Sequence, residues 1–446
     1  MFARRFIALP FFFALVACSA SPAFEYDSRP IQLQRAPAAP GGLALGATLA
    51  RVRVGNDTPP LLIDTGSLLS SLRRGVCPAA TPEPVAYTGD IQLVGDSDTS
   101  APLRAWFRGV TLFDLCAGAV GDANTQVAGI LGGDILRNFS LAFKLPRAAD
   151  LAATMTIYSG LPASDSNLAA NGYAVMKFQL RGSAAATTAS GSGRPGLPSS
   201  RVVLRVCGNP AEFVPEGPVQ TCKTRDVQVQ ASGTNLLLAL STGNGPLVLS
   251  TSAWQRLGGQ VTAPLAGEPN LYSALVADPI PAHWEAVSRL ALVDGDSGDP
   301  WPGACAELAR ARRIEWTLAN QKSGACFQPC DVSGGVSLPS AAYVEIGSDL
   351  PAAIVSDTSE LISSLNEDFP AGAQVDGVIG TEALAGIRIE IDYVSQPQGR
   401  LVAACEAGGD RQTCWASPRC YGPSEVDQTH MCFGLLPPGR APACPQ

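Results

Sequence analysis

Histidine is nearly absent from this 446-residue chain, which carries only His283 and His430. Chemistry built on a histidine cluster is thereby almost excluded, and neither histidine lies near a Gly-x-Ser-x-Gly or other nucleophile signature. Charge is also scarce, at 16% of residues, and its balance is acidic, with a net −8. An acidic body without a basic stripe excludes nucleic acid as the expected partner. Beyond the first twenty residues no apolar run is long enough to cross a bilayer. Metal-ligand patterns are equally thin. Asp294-Gly295-Asp296-Ser297-Gly298-Asp299 has Gly298 where a calcium loop needs a ligand and Asp299 where it needs glycine. It reads as an acidic surface turn, and neither a metal nor a cofactor is expected.

What is plentiful points to strands. Hydrophobic residues make up 46% of the chain, enough for a sizeable core, and 45 glycines with 36 prolines imply many turns between short strands. The expected fold class is all-β dominated, with a few short helices.

The N-terminus sets the compartment. Arg4 and Arg5 precede a short apolar stretch, Phe6 to Val16, which is too short to span a membrane. Leu15-Val16-Ala17-Cys18 then resembles a bacterial lipobox. The resemblance implies a signal peptide over residues 1–17, lipidation of Cys18 and a membrane anchor in the bacterial cell envelope. Ser19 after the cysteine implies the outer membrane. Residues 18–44, rich in proline and alanine, are read as a tether.

Cysteine usage agrees with export. Of 13 cysteines, 12 remain after Cys18, and an even number in an exported chain reads as disulfides. Cys77 and Cys116 stand alone in the first third and are expected to pair. Cys207 and Cys222 flank a short excursion and are expected to pair as well. The other eight cluster at 305–330 and 405–444 with no readable connectivity. Cys326 and Cys330 are expected to oxidise and not to bind zinc.

The chain says the same thing twice. Leu61-Leu62-Ile63 reads as a buried strand that ends in Asp64-Thr65-Gly66-Ser67. After 65 residues come Gly129-Ile130-Leu131-Gly132-Gly133-Asp134 and the alternation Phe139, Leu141, Phe143. In the second half, Leu236 to Leu240 ends in Ser241-Thr242-Gly243-Asn244. Gly377-Val378-Ile379-Gly380 follows after 136 residues, with Ile387, Ile389 and Ile391 in alternation. The longer spacing requires an insertion, placed at about 255–345. The organisation expected is one lobe over 45–180, a flexible linker over 181–200, a second lobe over 201–402 and a Cys-rich tail over 403–446.

An apolar strand ending in Asp-Thr-Gly-Ser, with an apolar-apolar-Gly strand downstream and the pair repeated, resembles the pepsin-like and retropepsin-like aspartic peptidases. The resemblance implies a bilobal β-barrel-type fold with a cleft that takes an extended peptide or protein segment by strand-like pairing. It assigns Asp64 as the retained acid. Thr65, Gly66 and Ser67 support it, and Thr242 and Gly243 match in the second lobe. It also implies that the Thr hydroxyls reach across to the partner loop and that the Ser67 hydroxyl bonds the outer carboxylate oxygen. Gly129 or Gly132, and Gly380, fit the crossing strand. Tyr87 and Trp106 are candidates for an aromatic over the cleft, with ordinary packing favoured.

One position departs from the pattern: Ser241 stands where the second acid belongs. The dyad needs two carboxylates sharing one proton, and a hydroxyl does not ionise in that range. Asp64 is then expected to titrate as an ordinary hydrogen-bonded carboxylate. Neither Asp134 nor Asp376 is expected to compensate, and a monomer is expected over a paired dimer. Two functions stay open: a crippled or unorthodox endopeptidase, and a non-catalytic pseudopeptidase that binds or scaffolds.

Overall fold

The computed structural model describes residues 24–26, 30–35, 47–72, 85–94, 105–114, 127–145, 153–158, 174–181, 201–210, 233–260, 263–265, 268, 270–273, 275–276, 279–293, 303–309, 343–366, 374–385, 387–393 and 400–405. The expectations for the leader, Cys18, Cys77, Cys116, Cys222, the linker after 181 and the tail after 405 lie outside them.

The first-half strands are β1 (Phe24–Tyr26), β2 (Ile31–Arg35), β3 (Thr48–Val54), β4 (Pro60–Ile63), β5 (Ser71–Leu72) and β6 (Val85–Val94). They continue with β7 (Ala105–Asp114), β8 (Gly129–Leu131), β9 (Ser140–Leu145), β10 (Ala153–Tyr158), β11 (Ala174–Lys177) and β12 (Gln179–Arg181). The second half has β13 (Arg201–Gly208), β14 (Thr234–Leu240), β15 (Leu247–Ser250), β16 (His283–Val293), β17 (Tyr343–Val355), β18 (Gly377–Ile379), β19 (Ile387–Asp392) and β20 (Arg400–Cys405).

Each half closes on itself. In the first, pairing runs β3-β4-β8-β5-β7-β6 and back to β3; in the second it runs β13-β14-β18-β15-β17-β16 and back to β13. Closure leaves no free edge along the paired stretches. The directions repeat too: β4 is parallel to β8 as β14 is to β18, whereas β5 and β15 run antiparallel to those same partners. This is the bilobal, pepsin-like all-β architecture, and the repeated motifs are its repeated crossings. Strands β4 and β14 read as unbroken apolar runs because neighbours cover both faces.

A third sheet joins the lobes in the order β2-β10-β9-β19-β20-β11. At its centre β9 meets β19 antiparallel, with Phe143 opposite Ile389 and Leu141 opposite Ile391. Their alternation, visible in the sequence, turns one face into a single core that includes residues of both lobes. Ser140 Oγ donates to Asp392 Oδ1 across this junction at 2.7 Å.

Three features differ from the sequence reading. The stretch read as a tether contains β1, which pairs with β7, and β2, which pairs with β10. Strand β20 extends to Cys405 and pairs with β11, so that edge of the joining sheet draws on both halves. Cys207 is bonded to Cys305 across 98 residues, and not to Cys222. Its sulfur points from β13 into a small buried cluster under the helical turn at 304–309, where Ala304, Leu308 and Tyr343 enclose it. Proximity along the chain was the wrong guide, because the tertiary fold delivers Cys305 to that spot. The extra length of the second lobe lies in the connections 251–282 and 294–342.

Candidate functional site

Strand β4 ends by presenting Asp64, whose N–H donates to Leu131 O at 3.0 Å. Strand β14 ends by presenting Ser241, whose N–H donates to Ile379 O at 3.1 Å. The registers agree, with Ile63 opposite Leu131 and Leu240 opposite Ile379. Ser241 therefore occupies in the second lobe the place Asp64 holds in the first.

The two residues touch. Ser241 Oγ donates to Asp64 Oδ1 at 2.7 Å. The same oxygen accepts the N–H of Gly66 at 2.8 Å and of Gly243 at 3.1 Å. Asn244 Nδ2 donates to Ser241 Oγ, which leaves the serine proton to Asp64. Glycine is required at both turns by close approach. A Cβ on Gly66 would lie 2.7 Å from Ser241 Cβ, and one on Gly243 would lie 2.6 Å from Asp64 Cγ.

Reciprocal threonine bonds lock the turns. Thr65 Oγ1 donates to Leu240 O at 3.1 Å, Thr242 Oγ1 donates to Ile63 O, and Thr65 N–H donates to Thr242 Oγ1 at 3.2 Å. Thr48 adds a further tie, its N–H and Oγ1 both donating to Thr242 O at 3.1 Å. Replacing Thr242 by isosteric valine strands the Thr65 N–H in a dry interior and leaves the Ile63 carbonyl only the longer bond from Thr48 Oγ1, at 3.3 Å. The expected cost is roughly 1–3 kcal/mol, read as a drop in the denaturant midpoint with an unchanged slope. A cost below about 0.5 kcal/mol would remove the grip from the account of lobe docking.

Two expectations are corrected here. Ser67 Oγ donates to Leu69 O at 3.0 Å within its own loop and not to the outer oxygen of Asp64, because that loop folds onto α1 (Gly133–Leu136). Nor is Asp64 an ordinary carboxylate. It is 0% exposed, and burial pushes its pKa up against the opposing pull of Ser241, Gly66, Gly243 and Arg201. Its outer oxygen Oδ2 has no hydrogen-bond partner among the described residues, and neither has the buried hydroxyl of Tyr393 just past β19. Burial, and then the Asp64 charge, push the Tyr393 phenol upward, which keeps it protonated.

The other acids are committed elsewhere. Asp134 Oδ1 accepts Ser70 Oγ and the Ile135 N–H, and burial pushes its pKa up to about 6. Asp376 Oδ2 accepts the Leu237 N–H at 2.8 Å, while Oδ1 pairs with Arg256. A cavity of about 820 Å³ lies on that side of the second lobe, lined by Arg205, Arg256, Asp357 and Asp376 among others, so its charges largely cancel. Tyr87 and Trp106 sit on the β6–β7 hairpin. Tyr87 donates to Asp90 O at 2.8 Å, and the Trp106 ring carries Arg108 at 4.2 Å.

Sequence reasoning missed Asn244, Thr48, Arg201 and Tyr393. Only Asn244 carried a signal, since it holds the place after Thr-Gly that Ser67 holds in the first copy. The others reach the site through strand pairing alone.

No family model matches the chain, and no curated relative matches it. Among solved structures it is similar to basic 7S globulin from soybean, at 11% identity over 86% of this chain and 97% of that one, with a TM-score of 0.38. Conglutin gamma, a basic 7S globulin from lupine seeds, matches at 9% identity over 87% and 99%, with a TM-score of 0.40. An aspartic proteinase from Irpex lacteus matches at 11% identity over 84% and 97%, with a TM-score of 0.34.

Proposed function

We propose that this chain is a lipid-anchored, non-catalytic protein of pepsin-like architecture that holds extended peptide segments between its lobes. The observation that carries the reading is the bond from Ser241 Oγ to Asp64 Oδ1. Where two carboxylates would share a proton, a hydroxyl donates a proton it does not release at physiological pH. Asp64 cannot then pass a proton back and forth with its neighbour, and the water-activating half of the reaction has no counterpart. Full burial of both residues favours the same reading. Peptide recognition would rest on backbone pairing along the cleft, and the Cys18 lipid would hold the body at the bacterial envelope, in the outer membrane.

The test is an unbiased peptide library offered to the ectodomain with Cys18 replaced, scanned from about pH 3 to 8, with Asp64→Ala and Ser241→Asp in parallel. The parent is expected to retain peptides without cutting them and to match Asp64→Ala. Ser241→Asp is expected to exceed the parent by on the order of a thousandfold, if the cleft is otherwise intact. Cleavage by the parent that vanishes in Asp64→Ala would make the protein an active peptidase and sink the proposal.

A further inference from the structure

Superposing the two halves by strand register exposes an asymmetry. Leu49 faces Leu62 in the first lobe and Val203 faces Ala239 in the second, and Leu62 and Ala239 each stand two residues before the site residue. Arg201 thus corresponds to Ala47. The first lobe has a small apolar residue there, and the second has a guanidinium.

That guanidinium crosses to the other lobe. Arg201 Nε donates to Gly66 O at 2.9 Å, in the turn whose N–H groups cradle Asp64. Its Nη1 donates to Ser364 O at 3.2 Å, in the helix Glu360–Asn366. One side chain therefore ties the acidic turn of the first lobe to a strand and a helix of the second. Asp64 Oδ1 accepts the Ser241 hydroxyl and Gly243 N–H after β14 and the Gly66 N–H of its own turn. The ionisable groups coupled to its charge are the Tyr393 phenol after β19 and Arg201 at the start of β13. Arg201 is the cation among them.

We infer that Arg201 is the charge partner of Asp64, a positioning residue that orients the Gly66 turn and balances a lone buried carboxylate where a second acid and a shared proton would otherwise stand. The loss of an acid at 241 and the gain of a base at 201 are then complementary changes. A buried carboxylate with a nearby cation keeps its charge at lower pH than one without it. Neither peptide binding nor a lipid anchor is needed for this inference.

The experiment is a carbon-13 NMR titration of the full chain labelled at aspartate Cγ, with the Asp64 signal assigned by its loss in Asp64→Asn. Arg201→Gln is expected to raise the proton affinity of Asp64 roughly tenfold. Arg201→Lys, which keeps the charge and loses the two-way brace, is expected to leave it near the parent's. A purely structural brace would shift both variants alike or neither, and either result overturns the inference. Should Arg201→Gln fail to fold, Arg201→Met takes its place as the uncharged variant beside Arg201→Lys: a raised affinity in methionine alone supports the charge role, and equal affinities in the two overturn it.

Discussion

Gly377→Ala will cost the second lobe more than about 4 kcal/mol, which is enough to stop it folding. Gly377 sits in β18 between β14 and β15, opposite Leu238 on one side and Leu249 on the other. A Cβ added there would lie 1.9 Å from the Val248 carbonyl oxygen and 3.1 Å from Leu249 Cα. Both are backbone atoms in a closed barrel, so no side chain can rotate away. Relief would require β15 to move, and with it the Ser250 cap of the helix Thr251–Arg256. Gly55→Ala is the control: that glycine has φ +62° but open space around it, so only the left-handed backbone penalty of roughly 1–2 kcal/mol applies. Soluble yield and denaturant unfolding compare the two. Equal effects would mean that the crossing strand is not a tight point of the fold.

Replacing both Cys207 and Cys305 with alanine will lower stability by roughly 4–5 kcal/mol, the loop-closure value for a link spanning about a hundred residues. The melting temperature should fall on the order of 10 °C. Removing both sulfurs avoids a stray buried thiol, and the Cys pair sits in a cluster small enough that lost packing adds little. Peptide mapping without reduction settles the partner: a fragment joining Cys207 to Cys305 is expected. A fragment joining Cys207 to Cys222 would restore the sequence-based pairing and remove the basis of the predicted loss, which is the 98-residue loop.

How much of this was readable depended on range. The apolar strands ending in Asp64 and Ser241 could be aligned from the sequence because each is a local pattern, and their repetition fixed which positions correspond. The alternations Leu141, Phe143 and Ile387, Ile389, Ile391 were legible as strands for the same reason, but that the two strands meet in one joining sheet was not. Strand β1 was not legible, since three residues carry no periodicity and form a strand only because β7 lies alongside. Cys305 was hidden by distance along the chain. Arg201 looked like any basic residue after a linker, because its meaning comes from Gly66, 135 residues away. The titration of Asp64 was misjudged because hydrogen bonds follow from the motif, whereas the depth of burial follows from how the lobes close.

Under the lipid anchor proposed for Cys18, the pairing of β1 with β7 has a mechanical consequence. Five residues, and so six Cα-to-Cα steps, separate that cysteine from Phe24. Fully stretched, they span at most about 20 Å. The first lobe would ride low on its leash, with the β6–β7 hairpin close to the bilayer. On the proposed function, the peptides it could sample would be those within arm's length of the membrane surface, not those passing through the wider compartment.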